Sequence, residues 1–547
     1  MNRTSLRLAG VCALALLLVA CTKVGLQTNR QTSNVVPGTL RYADIEEPIG
    51  LNPLLRLQAV GTDFDMFIFG LFFNLDDKVR YVPELATIVP TQQNGGISKD
   101  GLTITYHLRH GVKWQDGAPF TSHDVIFTVN AILNPRNNLQ SRNGWDQIKN
   151  VEAVGPYEVR FHLKRVYAPA VASFFSEGGL YPILPAHLLE QYPDLNHVPF
   201  NTNPVGTGPF KFVRWVHGDH LELAANPLYW RGPPKLKHII FKVIPKETTI
   251  VVQLRTHEID AWFRAPSNLY NEVKSLEPGY RVQLEPSFVY SHMDLNLKNP
   301  LFQDVRVRRA IHYAMNMQDI IDKVTHGVQL PADAEEPPIS WAFNPRVMHY
   351  PFDPAQARAQ LTQAGWSPGP DGVMTNDGKR LSFNISAVAG GATGEATEQI
   401  VQQQLKAVGI ETKIKNYPAE LFFAPGQDGG ILQSGKYDVG FYSWVASDDP
   451  DGEVSLYSCD QFAPAGQNDM FWCDPTLTKA LLAARTTYDT AERKKDYGIA
   501  QAEVASQSAT IVMWFQRQIY VTSTHFHGFI PAPATTSNWN TWEWSVE

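Results

Sequence analysis

The chain has 547 residues, of which 18% are charged and 11% are aromatic, and its formal net charge is −7. It contains no basic tract, which argues against nucleic acid as a partner, and its composition is not that of a disordered or fibrous protein. A chain of this length exceeds what one hydrophobic core supports, so we expect two or three lobes.

The first residues have the pattern of an export signal. Two arginines precede an apolar run over residues 8–20, which is too short to span a bilayer comfortably as a helix. The run ends in Leu-Val-Ala-Cys, which resembles a bacterial lipobox; the alternative is an ordinary cleaved signal. We therefore predict a signal peptide at 1–20, lipidation of Cys21, a polar tether at 21–37, and a body anchored to the membrane outside the cytoplasm.

The folded body is expected to begin at Gly38, and its clearest early element is a strand. Every second residue from Leu102 to Leu108 is apolar, and the residues between them are polar. This alternation predicts a half-buried strand. A tight turn is expected shortly afterwards, at Asp116-Gly117.

Further along the chain the apolar residues take helical spacing. Helices are predicted after Asp304, after Asp353 with Pro354 at the first helical position, and over residues 395–408, where Gly409 ends the helix. Strands are predicted over 380–388, 411–417 and 437–444. The strand–helix–strand order indicates an α/β lobe.

Two cysteines remain once Cys21 is assigned to the anchor. Cys459 and Cys473 are fourteen positions apart in a chain predicted to be exported. An oxidising compartment favours a disulfide between them. Zinc ligation is the alternative, but no neighbouring Cys-x-x-Cys or histidine supports it.

An acidic loop follows the predicted strand 437–444. The stretch SWVASDDPDGEVSLY (443–457) holds Asp448, Asp449 and Asp451, at the strand end where ligand sites of open α/β sheets gather. Such a cluster can be a metal cage, a catalytic pair, a clamp for a cation or a solvated turn. The spacing matches a calcium loop poorly, and adjacent side chains usually point apart.

Enzyme motifs are mostly absent. HEIDA (257–261) lacks the second histidine of a zinc protease, His525 and His527 have no evident third ligand, and there is no G-x-S-x-G. Gly391, in the loop GGATG (390–394), could hold an anion such as a carboxylate at a helix start, or the loop could be an ordinary connection. We predict no cofactor and no catalysis. An exported hydrolase using Asp448 or Asp449 is the remote alternative.

The chain resembles family 5 of the solute-binding proteins of ABC importers, which includes the oligopeptide- and dipeptide-binding proteins. The resemblance extends over residues 38–547, and five blocks carry it in order: GLTITYHLRHGVKWQDGAPFTSHDVIFTV (101–129), NPVGTGPFKFVRW (203–215), NPLYWRGPPKLKHIIFKVI (226–244), LNLKNPLFQDVRVRRAIHYAMNMQDII (295–321) and YPFDPAQARAQLTQAGW (350–366).

This resemblance implies an α/β, two-lobed clamshell of the periplasmic-binding-protein type (class II) with an extra domain in lobe I. The implied divisions are lobe I at 38–60, 200–290 and 515–547, the extra domain at 61–199, and lobe II at 291–514. The implied function is capture of a short peptide and its delivery to the transmembrane subunits of an ABC permease, by a monomer. Nickel chelates, opines, oligosaccharides and haem are the alternative ligands within the family.

The resemblance also implies ligand contacts. Peptide-binding members carry Trp-x-x-Asp at the end of a strand, where the Asp pairs with the α-ammonium of the peptide. Trp444 matches the Trp, but Ser447 stands at the Asp position and Asp448 follows it. Either Asp448 forms the clamp or the clamp is missing; Asp449 and Asp451 are expected to be structural. The other implied contacts are the aromatic residues Tyr290, Tyr442 and Trp514, for which a place in the core is the equal alternative, together with Glu47 and Gly391.

Overall fold

The structure is a computed structural model that describes residues 34–55, 58–139, 141–179, 181–533 and 537–547. The predicted signal peptide, Cys21 and most of the tether lie outside the described residues. Within the described ranges, no helix is both long enough and apolar enough to cross a membrane.

The strands of the described residues form one large sheet and four small sheets of two or three strands. They are β1 Thr39–Asp44, β2 Phe73–Leu75, β3 Tyr81–Pro83, β4 Thr103–His107, β5 Ile148–Gly155, β6 Glu158–Leu163, β7 Phe210–Val216, β8 His220–Ala225, β9 His238–Val243, β10 Ala261–Ala265, β11 Tyr280–Leu295, β12 Leu330–Pro331, β13 Ser367–Pro368, β14 Met374–Asn376, β15 Lys379–Arg380, β16 Ser382–Ser386, β17 Glu411–Ile414, β18 Val439–Val445, β19 Thr510–Ser523, β20 Phe526–His527 and β21 Ser545–Val546.

The α-helices are concentrated after β11. They are α1 Ala59–Ile68, α2 Ser122–Leu133, α3 Ala170–Ser173, α4 Ala186–Leu189, α5 Glu247–Arg255, α6 Tyr270–Lys274, α7 Val305–Ala314, α8 Met317–Thr325, α9 Pro354–Gln363, α10 Ala392–Lys406, α11 Ala419–Phe422, α12 Glu453–Tyr457, α13 Pro475–Ala484 and α14 Thr490–Gln507.

One eleven-stranded sheet runs through the described part of the molecule, in the order β17-β16-β18-β11-β19-β10-β1-β9-β8-β7, with β12 also paired to β19. The strands β11 and β19 are long and antiparallel, and they stay paired from Tyr280 opposite Ser523 to Asp294 opposite Thr510. Their register shifts between Pro286 and Tyr290 and again between Ser291 and His292. These two strands therefore connect the two ends of the sheet.

Separate hydrophobic cores lie on either side of this strand pair. The core on the β10–β7 side draws many of its residues from the range 61–199. We call this range the inserted segment because it lies between β1 and β7 in sequence, and it contains the small sheet β4-β6-β5. The core on the β18–β17 side packs α7 and α10 against that end of the sheet, through residues such as Ile311 and Val401. A further core gathers α12, α13 and α14 around Tyr497.

The local predictions from residue pattern are confirmed. β4 buries Ile104 and Tyr106. The side chain of Asp304 caps α7 by accepting from the Arg306 N–H, and Asp353 caps α9 with Pro354 at its first position. In the α/β part, β16 pairs in parallel with both β17 and β18.

The predicted disulfide is present. Cys459 and Cys473 are bonded, with their Cα atoms 4.5 Å apart. The bond closes the loop between α12 and α13, and the Cys459 N–H donates to Thr478 Oγ1 at 3.0 Å. It therefore holds the segment that follows the acidic loop against α13.

Candidate ligand-binding site

A cavity of about 1080 Å³ lies between the inserted segment and the loop that follows β18. One wall consists of residues at the end of β18 and in the acidic loop, and the facing wall comes from the inserted segment. Its lining includes Ser443, Trp444, Ser447, Asp449, Asp451, Glu453 and Glu336 on one side, and Arg142, Trp145, Arg165, Tyr167, Gly178 and Gly179 on the other. A concave site of this size, formed by two parts of the chain, is typical of ligand binding.

Strand pairing sets the aromatic floor of the cavity. The register of β11 against β18 places Tyr290 directly opposite Trp444, and both residues line the cavity. Tyr290 is buried, with its hydroxyl 3.1 Å from that of Tyr457, whereas Trp444 is partly exposed. Beyond Gly440, the edge of β18 that faces away from β11 has no strand partner among the described residues.

Two of the three aspartates in the acidic loop are neutralised by arginines. Asp449 accepts from Arg493 at 2.8 Å, and the two side chains are only 9% and 10% exposed. Asp451 accepts from Arg485 through two hydrogen bonds of 2.5 and 2.9 Å. The carboxylate of Asp449 also accepts from the Asp451 N–H and so caps the short turn Pro450–Gly452.

Asp451 also connects the two walls of the cavity. The hydroxyl of Tyr167, from the inserted segment, donates to Asp451 Oδ2 at 2.9 Å. Because charge-assisted hydrogen bonds of buried groups are strong, this contact and the arginine pairs fix the loop in place. Asp449 and Asp451 thus have structural partners.

Asp448 has a different environment, in which no cation from the described residues is bonded to it. One carboxylate oxygen accepts from the hydroxyl of Tyr81, in the inserted segment, at 2.5 Å. The other, Oδ1, is buried and has no hydrogen-bond donor among the described residues. Burial, together with the negative charge of Asp449, raises the pKa of Asp448 to about 7.

Gly178 leaves space beside this carboxylate. A Cβ at position 178 would lie 2.3 Å from Asp448 Oδ1, and Gly178 itself lines the cavity. A glycine at this point therefore leaves room for the Asp448 carboxylate directly behind the lining of the cavity.

Three glutamates form a second acidic group below the loop. Glu335, Glu336 and Glu453 are at most 5% exposed, and five of their carboxylate oxygens have no hydrogen-bond donor in the described structure. Burial raises the pKa of Glu335 to about 8. Burial, with the negative charges of Glu335 and Glu336, raises the pKa of Glu453 well above its usual range.

The opposite part of the cavity carries positive charge. Arg142 donates to the backbone carbonyls of Ile132, Asn134 and Asn137, so its guanidinium is held in place. Arg165 donates to Gln147 Oε1 at 2.7 Å and is exposed. Neither arginine forms a salt bridge with another described residue. The cavity is therefore acidic at the β18 loop and basic at the inserted segment.

Asp448 is itself outside the cavity lining, and so are the remaining residues expected from sequence. Trp514 is 1% exposed in the core beside Phe441, and the Tyr442 hydroxyl donates to Asp294 Oδ2 at 2.5 Å. Glu47 accepts from Trp215 Nε1 at 2.7 Å. Gly391 precedes α10. The Gly390 N–H donates to Glu395 Oε1, in the first turn of that helix, at 2.9 Å.

Sequence reasoning missed several residues of the site. Glu336, Tyr81 and Gly178 come from segments distant in sequence, and no local pattern marks them. Glu453 follows the three aspartates of the acidic loop, and its position directly after Asp-Pro-Asp-Gly is the sequence signal that could have identified it as a site residue. Among the described residues, no three His, Cys, Asp or Glu side chains meet in a geometry that could hold a metal ion.

Comparison with known protein families gives a match over most of the chain. The model of the bacterial extracellular solute-binding proteins, family 5 Middle, matches residues 80–465. The oligopeptide-binding protein AppA of Bacillus subtilis is 28% identical over 510 residues, covering 90% of this chain and 89% of AppA. The glutathione-binding protein GsiB of Salmonella typhi is 29% identical over 494 residues, covering 89% of this chain and 90% of GsiB.

Solved structures agree with the fold. AppA from Bacillus subtilis in complex with a nonapeptide has a TM-score of 0.77 at 26% identity, covering 93% of this chain and 99% of AppA. NikZ from Campylobacter jejuni in complex with Ni(L-His) has a TM-score of 0.79 at 28% identity, covering 93% of this chain and 100% of NikZ. The predicted α/β fold of this family is thereby confirmed.

Proposed function

Because this chain belongs to the bacterial extracellular solute-binding proteins of family 5, a family of non-enzymatic binding proteins of ABC importers, we propose that it captures short peptides and delivers them to the permease. The ligand site is the cavity beside β18. Lobes I and II, divided near Tyr290 and Trp514 as the sequence implies, close on the ligand, which favours the closed state through contacts with both.

The unpaired edge of β18 is the observation that carries this proposal. Ser443, Trp444 and Val445 line the cavity, and the β18 edge beyond Gly440 has no strand partner in the described residues. An extended peptide can add to such an edge as a further strand, which gives affinity through backbone hydrogen bonds without requiring one side-chain sequence. Trp444 supplies an apolar surface beside the peptide.

The α-ammonium of the peptide pairs with Asp448 in this proposal. The carboxylate is buried, has no bonded cation among the described residues, and has one oxygen without a donor next to Gly178. An ammonium in a dry site needs a charged hydrogen-bond acceptor. Ser447, at the position that carries the aspartate in peptide-binding relatives, instead donates its hydroxyl to the Asp449 carbonyl at 2.7 Å.

The carboxylate of the peptide is directed to the opposite wall. Arg165 lines the cavity, is exposed, and has no salt bridge within the described residues. Its guanidinium can bind a carboxylate through two parallel hydrogen bonds. The acidic and basic ends of the cavity therefore suit a zwitterionic ligand such as a short peptide.

Mass spectrometry of the ligand that co-purifies with the protein tests the proposal. The protein is produced in an export-competent host and extracted under denaturing conditions. A set of short peptides is the expected result. A single sugar, haem, opine or nickel chelate would retain the family assignment and refute the peptide proposal, and isothermal titration with tri-alanine then checks binding directly.

We also propose that Cys21 carries a lipid anchor. The support is the Leu-Val-Ala-Cys sequence at the end of the apolar run. The mass of the N-terminal peptide from membrane-extracted protein checks this: a diacylated Cys21 is expected, and an unmodified cysteine or a cleavage elsewhere would contradict it.

A further inference from the structure

The acidic wall of the cavity carries more negative charge than the proposed function uses. Asp449 and Asp451 are each paired with an arginine, and Asp448 is assigned to the α-ammonium. That leaves Glu336 and Glu453, which line the cavity, and Glu335 behind them. No lysine, arginine or histidine of the described residues forms a salt bridge with any of these three glutamates.

These glutamates are buried without a cation, and Glu336 is hydrogen-bonded to Ser340 and lies against Glu453 among the described residues. Glu336 is 1% exposed and its Oε2 has no donor among the described residues, while Glu453 is 5% exposed and neither of its carboxylate oxygens has one. A buried carboxylate without a partner is costly, and its charge is tolerated only when a cation or a proton accompanies it. Two adjacent buried carboxylates that line one cavity and have no cation among the described residues share a proton, and a positively charged group from the ligand would take its place.

The surroundings favour an organic cation over a metal ion. Within the described residues no group of three ligating side chains has the geometry of a metal site. Tyr290 and Trp444 line the same cavity, and aromatic faces attract ammonium and guanidinium groups. A guanidinium has five donors in a fixed plane and can bond two carboxylates at once.

We propose that Glu336 and Glu453 form a subsite for a basic side chain, so that the protein selects peptides carrying arginine or lysine. The inference rests on the proposed function and specifies its ligand class: one ammonium at Asp448 and a second cation at the glutamate pair. Positive charge on the ligand replaces the protons that the buried glutamates would otherwise hold. Glu335, which does not line the cavity, adds negative potential from behind.

The test compares arginine with citrulline, a neutral side chain of the same shape. Isothermal titration in EDTA measures the binding of tri-alanine hosts that carry arginine or citrulline at position 1, 2 or 3. At one position or more, the purified wild-type protein is expected to bind the arginine peptide at least tenfold more tightly than its citrulline counterpart. The wild-type comparison needs no variant and so does not depend on the folding of one.

Two variants assign the preference to the subsite. Glu336→Gln and Glu453→Gln keep the side-chain volume and are each expected to reduce the arginine-to-citrulline ratio severalfold. Glu398→Gln is the matched control, because Glu398 is also 1% exposed with an unpartnered oxygen, but lies on α10 outside the cavity lining. It is expected to keep the wild-type ratio.

The outcomes separate this inference from the proposed function. If arginine and citrulline peptides bind within tenfold of each other at every position, or if neither cavity variant lowers the ratio, the subsite is overturned and the peptide receptor stands. An equal effect of Glu398→Gln also overturns it. If none of the peptides binds, the proposed function is refuted and the inference fails with it.

Discussion

The affinity for a simple peptide should depend on pH through Asp448. Burial and the charge of Asp449 raise the pKa of Asp448 to about 7, whereas pairing with an ammonium requires the ionised form. Binding therefore releases a proton from Asp448 whenever the pH lies below about 7. Affinity is expected to be highest between about pH 7 and the α-ammonium pKa of about 8, and to fall as the pH decreases below this range.

The size of the effect follows from the shifted pKa. Each pH unit below about 7 adds roughly 1.4 kcal/mol for removing the proton, which is a tenfold loss of affinity. Between pH 7.5 and pH 5.5 the dissociation constant for tri-alanine should rise about 25-fold. The α-ammonium, with an ordinary pKa of about 8, stays largely protonated over this range.

Isothermal titration with tri-alanine at pH 5.5, 6.5 and 7.5 measures this dependence, and Asp448→Asn is the matched variant. Asparagine has the same size and can still accept from the Tyr81 hydroxyl, so the fold should be kept. At pH 7.5 the variant is expected to bind more than tenfold more weakly, because truncating one partner of a buried charged pair costs about 2–5 kcal/mol. Its affinity should not change with pH through this site. N-acetyl-tri-alanine, which lacks the ammonium, should bind both proteins weakly.

Two results would refute this reasoning. A wild-type affinity that changes less than threefold between pH 5.5 and 7.5 would mean that Asp448 does not ionise on binding. An Asp448→Asn variant with the same pH profile as the wild type would assign the titration to another group.

Three further predictions, each made with substitutions, test the partners described above. Asp449→Ala leaves the buried Arg493 without its anion and should lower the free energy of unfolding by about 3–5 kcal/mol. The control Glu222→Ala removes the exposed pair with Arg214 and should lower it by less than about 1 kcal/mol. Equal shifts of the urea midpoint for the two variants would contradict the burial argument. Replacing Cys459 and Cys473 by serine should cost about 3 kcal/mol through the loop that the bond closes, and an unchanged urea midpoint would argue against this. Gly178→Ala places a Cβ against Asp448 Oδ1 and should weaken tri-alanine binding at least tenfold. Gly452→Ala, at a cavity position with open space around its Cα, should leave the affinity unchanged. Similar effects of the two variants would contradict the role assigned to Gly178.

Local sequence signals predicted the elements that present the site. The alternation in β4, the Asp caps of α7 and α9, and the position of the acidic loop after β18 depend on neighbouring residues and are confirmed in the structure. The pairing of Cys459 with Cys473 followed from their spacing and the predicted compartment, and it is confirmed as well.

The contacts of the site could not be predicted in the same way, because they join segments far apart in sequence. The Tyr81 hydroxyl reaches Asp448 from the inserted segment, and Glu336 contacts Glu453 although the two are far apart in sequence. In the sequence, Trp514 is an aromatic residue near the predicted boundary between lobes I and II, yet the structure buries it in a core. Aromatic residues line ligand sites and also fill hydrophobic cores, and the sequence pattern does not distinguish these two roles.

The central position of β19 in the sheet has a consequence for the order in which the chain can fold. β19 lies between β11 and β10, and it is the last long strand in the described part of the chain. Until residues 510–523 are available, β17-β16-β18-β11 and β10-β1-β9-β8-β7 are two separate sheets, each with an unpaired edge. The molecule therefore cannot complete its fold progressively from the N-terminus during synthesis or secretion, and both halves reach their final state together when this strand inserts between them.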